Sequence, residues 1–221
     1  MELKKRRRAF LFVWALLVLA SPLTLLSNAN IERVFSNDFL ALNLFQRVFG
    51  LIAFTLLASQ IVLGSLMDKW VKHFGGWAYK FHVTEGIFTY ALVLLHPFMQ
   101  TIIDFKVGSI AASLLTFLPG KDIYLNFGKL GFTLITLSFI AGYFRTKPFF
   151  RKNWKKFHIL SYFAFYFSAY HAWVLGTDTK QAPFMLIFWV LVVSVTVSAL
   201  SRAWLLIERG ATLIKNEGTT R

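Results

Sequence analysis

Cysteine is absent from all 221 residues. With no thiol, the chain has no disulfide, thiolate zinc site, iron–sulfur cluster, covalent c-type haem attachment or thiol catalysis. Charge is also sparse, at 15% of residues against about a quarter in soluble domains. Acidic residues are the scarcer sign, 10 against 24 Lys and Arg, for a net charge of +14. No polar segment contains a G-x-G-x-x-G turn or a P-loop, and none has room for the strand, turn and helix of a nucleotide-binding domain. Low-complexity tracts, internal repeats and flexible linkers are likewise not visible. Metal chemistry, if any, must therefore rest on the five His residues, the carboxylates or Met.

What is abundant is apolar. Hydrophobic residues make up 57% of the chain, 25 of them Phe, and the mean hydropathy is +0.58. Six apolar runs bounded by charge, at 9–26, 44–67, 81–103, 127–144, 157–175 and 184–207, are each long enough to cross a bilayer. The expected architecture is all-α, a six-transmembrane-helix bundle forming a single domain over 1–221. Lys4 to Arg8 precede the first run, so a signal peptide ending after Ala20 is the competing reading. Pro22 just past that site and the continuation of the run to Leu26 favour a retained span.

Basic residues are distributed by side. With the N-terminus inside, 18 of the 24 Lys and Arg fall on the inner segments, and Arg33, Arg47, Lys106, Lys121, Lys129 and Lys180 do not. This asymmetry satisfies the positive-inside rule, predicts cytoplasmic termini and explains most of the net charge as topology rather than nucleic-acid binding. The plasma membrane of a bacterium is the expected setting. In the longest outer loop, 106–126, the stretch 110–118 is apolar but too short to span, and an interfacial lid helix is expected there.

Four of the five His residues lie in these spans, where ionisable side chains are costly and usually functional. His82 and His96 are 14 residues apart on span three; His158 and His171 are 13 apart on span five. At about 1.5 Å per residue, each spacing covers roughly 20 Å of helix. Because both spans run the same way, His82 comes level with His158 and His96 with His171. Such pairs can grip a haem iron from both sides and leave no open coordination position, which suits electron transfer. The blander account is that the four His residues hydrogen-bond between helices. A step of 13 also lands roughly 140° from its starting face, so span five requires a bulge, a tilt or a rotation of one site against the other.

The segment KFHVTEGIFTYALVLLHP at 80–97, the segment WKKFHILSY at 154–162 and the pair Tyr170-His171 resemble the ferric reductase-like transmembrane domain of NADPH oxidases and ferric reductases. The resemblance covers nearly the whole chain. It implies two b-type haems held by His82, His96, His158 and His171, with electrons carried outward from a cytosolic flavin. The haem subunit of methionine sulfoxide reductase systems, a free-standing relative within that family, lacks the inner His of span three, so His82 points to the two-haem branch. The appended FAD and NADPH domains of the oxidases have no counterpart after span six, which places FAD or FMN on a separate cytosolic reductase. Contact with lipid and with no nucleic acid is expected.

Several other residues carry two readings each. Arg47, one turn inside span two, suits a haem propionate, as a similarly placed Arg does in NADPH oxidases, or snorkels to headgroups. Gln100 lines the outer haem rim or bonds helix to helix. Glu85 accepts from a ligand His or stays protonated in the bundle. Phe165, among the aromatics of span five, sits between the haem edges or simply packs. His73 is read as solvated. The run 145–156 holds six basic residues in twelve, explained by topology alone or, more sharply, as a docking surface for an acidic flavoprotein. A quinol-linked cytochrome, and a haem-free transporter or structural bundle with a His-lined path, are the alternative functions.

Overall fold

The computed structural model describes residues 2–218, with side chains described to 205 and at 207 and 208. Arg221 and the side chains of Arg209 and Lys215, three of the basic residues assigned to the inner face, lie outside that set. Among the described residues every regular element is helical. The helices are α1 (Glu2–Asn28), α2 (Ile31–Phe35), α3 (Asp38–Ser65), α4 (Met67–Phe74), α5 (Trp77–Lys106), α6 (Ile110–Leu115), α7 (Ile123–Tyr143), α8 (Pro148–His158), α9 (Leu160–Leu175) and α10 (Phe184–Gly218), with a 3-10 turn at Asp178–Lys180.

Helix starts follow local chemistry. Asn37 accepts from the backbone N–H groups of Phe39 and Leu40, and Asp122 from those of Tyr124 and Leu125, so two long apolar helices begin on side-chain caps. Pro148 opens α8 at a position where its missing N–H costs nothing. Ser109 caps α6 inside the loop where the sequence predicts a lid helix.

Five helices, α1, α3, α5, α7 and α10, are long and apolar enough to cross a membrane. The fifth expected span, 157–175, is instead divided: α8 ends at His158, Ile159 turns, and α9 continues for 16 residues, short of a full crossing on its own. Large apolar side chains such as Phe12, Leu16, Leu200 and Trp204 point outward, as a bundle solvated by lipid requires.

The helix α3 is the most enclosed. Its Leu44, Leu51, Phe54, Leu57 and Ile61 pack with Leu25 of α1, Phe165 of α9 and Phe184, Phe188 and Val195 of α10. Phe54 stacks on Phe165 on one side and on Phe188 on the other, both at 5.0 Å between centroids. The helix α1 is bonded into this frame: Arg7 Nη2 donates to the Phe74 carbonyl at 2.8 Å, and Phe10 meets Trp70, Phe74, Trp77 and Phe81 edge-on or tilted.

Two antiparallel hairpins, α3 with α5 and α7 with α9, make the most extensive packing in the bundle. They correct the expectation of no repeat. Gly50 and Gly64 on α3, and Gly128 and Gly142 on α7, are each 14 apart, and the second set lies 78 positions after the first. The His residues of α5 recur 76 and 75 positions later at the end of α8 and on α9. Little else recurs, which is why the sequence alone conceals the relation.

Contacts also gather the basic segments at one end. Arg7 reaches α4, and Arg145, between α7 and α8, lies 5.7 Å over the Tyr79 ring near the start of α5. Asp38, Asp104, Asp122 and Asp178 lie toward the opposite end. Because Phe54 fills the centre against two rings, Phe54→Ala should cost about 3 kcal/mol through lost contacts and a residual cavity. Unfolding in detergent checks this, and Phe54→Leu should recover more than half of the loss.

Candidate functional site

The site is built by the two hairpins. His82 and His158 face each other at the basic end with ring centroids 6.3 Å apart and planes at 79°. His96 and His171 do the same toward the opposite end, at 6.5 Å and 80°. All four predicted ligands are therefore brought together in the two expected pairs. The helix between the two His residues is interrupted at Ile159: its N–H bonds to the Lys155 carbonyl, and its carbonyl accepts from Tyr162 in a tighter three-residue turn before α9.

The second ring nitrogens are fixed from the flanking helices. His96 Nδ1 lies 2.8 Å from the Gln46 carbonyl of α3, and His171 Nδ1 lies 3.0 Å from the Tyr124 carbonyl of α7. His158 Nδ1 meets Ser138 Oγ at 3.3 Å and the Ser138 carbonyl at 3.4 Å. A carbonyl partner makes Nδ1 the protonated nitrogen and leaves the Nε2 lone pair for a metal. His82 differs, since its Nδ1 is buried with no hydrogen-bond partner.

Distance separates the chemical options. Two imidazoles joined by a direct N–H···N bond of about 2.9 Å would have centroids roughly 5 Å apart. Two imidazoles on one metal ion, at about 2 Å per bond, would stand roughly 6.3 Å apart. Both observed pairs exclude a direct bond and stand at the second value, which edge-to-face rings in contact also adopt. No group of three or more His, Asp or Glu side chains able to hold a metal occurs among the described residues, so each pair offers two protein ligands only. That donor set fits a metal whose remaining ligands come from a planar macrocycle.

Four glycines make room for the rings. A Cβ at Gly128 would lie 2.7 Å from His171 Nδ1, and one at Gly50 2.8 Å from His96 Nδ1. At Gly142 and Gly64 the nearest atoms of His158 and His82 would be 3.3 Å away. These residues escape a reading that starts from titratable side chains. Their signal is nonetheless present, as two Gly pairs whose 14-residue spacing matches the His spacing of span three.

The other candidates are placed as follows. Arg47 donates from Nε to Asp178 Oδ2 at 2.7 Å and from Nη2 to Oδ1, a two-bond clamp on a buried carboxylate beside the Gly50 level. Gln100 bonds helix to helix: Gln46 Nε2 donates to it at 2.9 Å, and it donates to Asp104 at 2.8 Å. Phe165 is fully buried and sits in the sequence midway between His158 and His171. Glu85 accepts from Trp14 and Gln60 rather than from a ligand His. His73 is exposed on α4. Arg151, Lys152, Lys155 and Lys156 are carried on α8, the helix that ends at His158, with Arg151, Lys152, Lys155 and Lys156 at its basic face.

Comparison with family models, with curated proteins and with solved structures finds no match to this chain. The site therefore stands on its own geometry.

The glycine distances generate a graded prediction. Ala at Gly50 or Gly128 should push the ring it faces and cost about 1–3 kcal/mol of stability. Ala at Gly64 or Gly142 asks the ring to give by only a few tenths of an ångström and should cost less. Unfolding of the purified variants in detergent checks the order.

Proposed function

We propose that the chain is a multi-pass membrane cytochrome b that passes electrons between the two sides of the bilayer. In this reading α8 and α9 together supply the sixth crossing. His82 and His158 hold one haem b and His96 and His171 a second, as the resemblance to ferric reductase-like domains implies. The observation that carries the reading is the pair of centroid separations, 6.3 and 6.5 Å, each at the spacing of two imidazoles on one metal ion. When bound, haem supplies the one-electron chemistry.

The chain's own residues do the rest. The paired imidazoles would hold the iron from both sides and leave no position for oxygen, which suits electron transfer. The carbonyls of Gln46, Tyr124 and Ser138 fix three rings and raise their basicity. Arg47, held by Asp178 next to the His96–Gly50 level, suits a propionate with its remaining N–H groups. By the positive-inside rule the basic end faces the cytosol, so electrons would enter at the His82–His158 level and leave at the His96–His171 level. The donor is a cytosolic flavoprotein carrying FAD or FMN, attracted by the basic face of α8.

Replacing His82 by Leu should abolish the inner haem and leave the outer one low-spin, and replacing His96 by Leu should do the reverse. Retention of two low-spin haems in either variant contradicts the assignment. Neutralising Arg151, Lys152, Lys155 and Lys156 should slow reduction by a flavoprotein donor and flatten its salt dependence while haem content stays constant. Stopped-flow reduction at several ionic strengths checks it, and an unchanged rate removes the docking surface alone.

A further inference from the structure

Glu85 is a buried carboxylate to which the His pairs assign no task. It is 4% exposed, one turn beyond His82 on α5, and turned toward α1 and α3. Trp14 Nε1 donates to its Oε1 and Gln60 Nε2 to its Oε2, each at 2.6 Å. Thr89 is engaged by the Glu85 backbone carbonyl instead. Both carboxylate oxygens thus receive uncharged N–H donors. These two donors suit the anion, and the Ser59 hydroxyl, which also bonds the carboxyl group, can donate to the anion or accept from the acid.

The groups hydrogen-bonded to Glu85 carry no charge, and Arg145, over the Tyr79 ring toward the basic end, donates to the Gly142 carbonyl. The helix α1 contributes Trp14, and Arg7, two turns away, is spent on the Phe74 carbonyl. The helix α3 contributes Ser59 and Gln60. On α5 the titratable neighbour is His82, and among the described residues no hydrogen bond joins it to Glu85. Neutral donors leave the charge of a buried carboxylate uncompensated, so its protonation responds to a charge added nearby. A unit negative charge within about 10 Å, at an effective dielectric near 20, raises proton affinity tenfold or more.

We propose that Glu85 is a redox-linked proton acceptor, ionised before an electron reaches the His82–His158 level and protonated once it is there. This rests on the cytochrome reading. The electron comes from the cytosolic donor. The proton comes from water at the basic end and forms one O–H bond on Glu85, so the added negative charge is cancelled locally. The chain would then take up one proton per electron at its inner level.

The test is potentiometric titration of haem-loaded protein in a His96→Leu background, where only the inner pair is complete, across a range of pH. The midpoint should fall with rising pH over the interval between the two protonation equilibria, by about 59 mV in all for each tenfold change in proton affinity. Glu85→Gln should make the midpoint pH-independent. Infrared difference spectra, reduced minus oxidised, should gain a protonated-carboxyl band that Glu85→Gln lacks. Trp14→Phe, which removes one donor to the anion, should move the interval to higher pH and serves if Glu85→Gln does not accumulate. A slope retained in Glu85→Gln, an interval unmoved in Trp14→Phe, or a pH-independent midpoint in the parent protein overturns the proposal. Protein that binds no haem overturns the cytochrome reading instead.

Discussion

The bonds from His Nδ1 to main-chain carbonyls tie α5 to α3, and α8 and α9 to α7, and they fix how three of the four rings are presented to the facing hairpin. Each such bond draws an imidazole tightly against its neighbouring helix. Only glycine on that helix leaves room, with ring atoms as close as 2.7 Å to where a Cβ would stand. Three of the four rings are held in this way, His82 being packed against Gly64 without such a bond, and the facing rings stand 6.3 and 6.5 Å apart. The central position of α3 follows, since it both backs the α5 rings through Gly50 and Gly64 and turns its large apolar face to α9 and α10.

A lipid-solvated bundle gains little from burying apolar surface against other apolar surface, so dispersion contacts and buried polar bonds must fix the helices. The aromatic column running from Phe165 through Phe54 and Phe188 to Trp173 supplies the first. The second comes in long-range pairs: Trp14 with Glu85, Gln60 with Glu85, Gln46 with Gln100 and Arg47 with Asp178. Each joins segments distant in sequence. Each also satisfies a group that would be costly if left bare in hydrocarbon.

Much of this architecture is legible in the sequence. Long apolar runs mark α1, α3, α5, α7 and α10, and the level matching of His82 with His158 and His96 with His171 follows from helical rise alone. The division of 157–175 is less legible. Only the 13-residue step between His158 and His171 hints that an uninterrupted helix would turn one ring the wrong way, and the break between α8 and α9 falls at Ile159, inside that step. The pairing of Arg47 with Asp178, 131 residues apart, leaves no periodic trace in the sequence. The glycines do leave one, but glycine carries no chemistry of its own, so its spacing gains meaning only once the rings it accommodates are in place.

The central claim is that each His pair holds one haem. Extracting and counting haem per chain from purified protein, together with its absorption and low-temperature magnetic resonance spectra, tests it most directly. The account predicts two b-type haems per chain, both low-spin with two axial nitrogen ligands. Protein that binds no haem, or one that shows a high-spin iron with an open position at either pair, would contradict it.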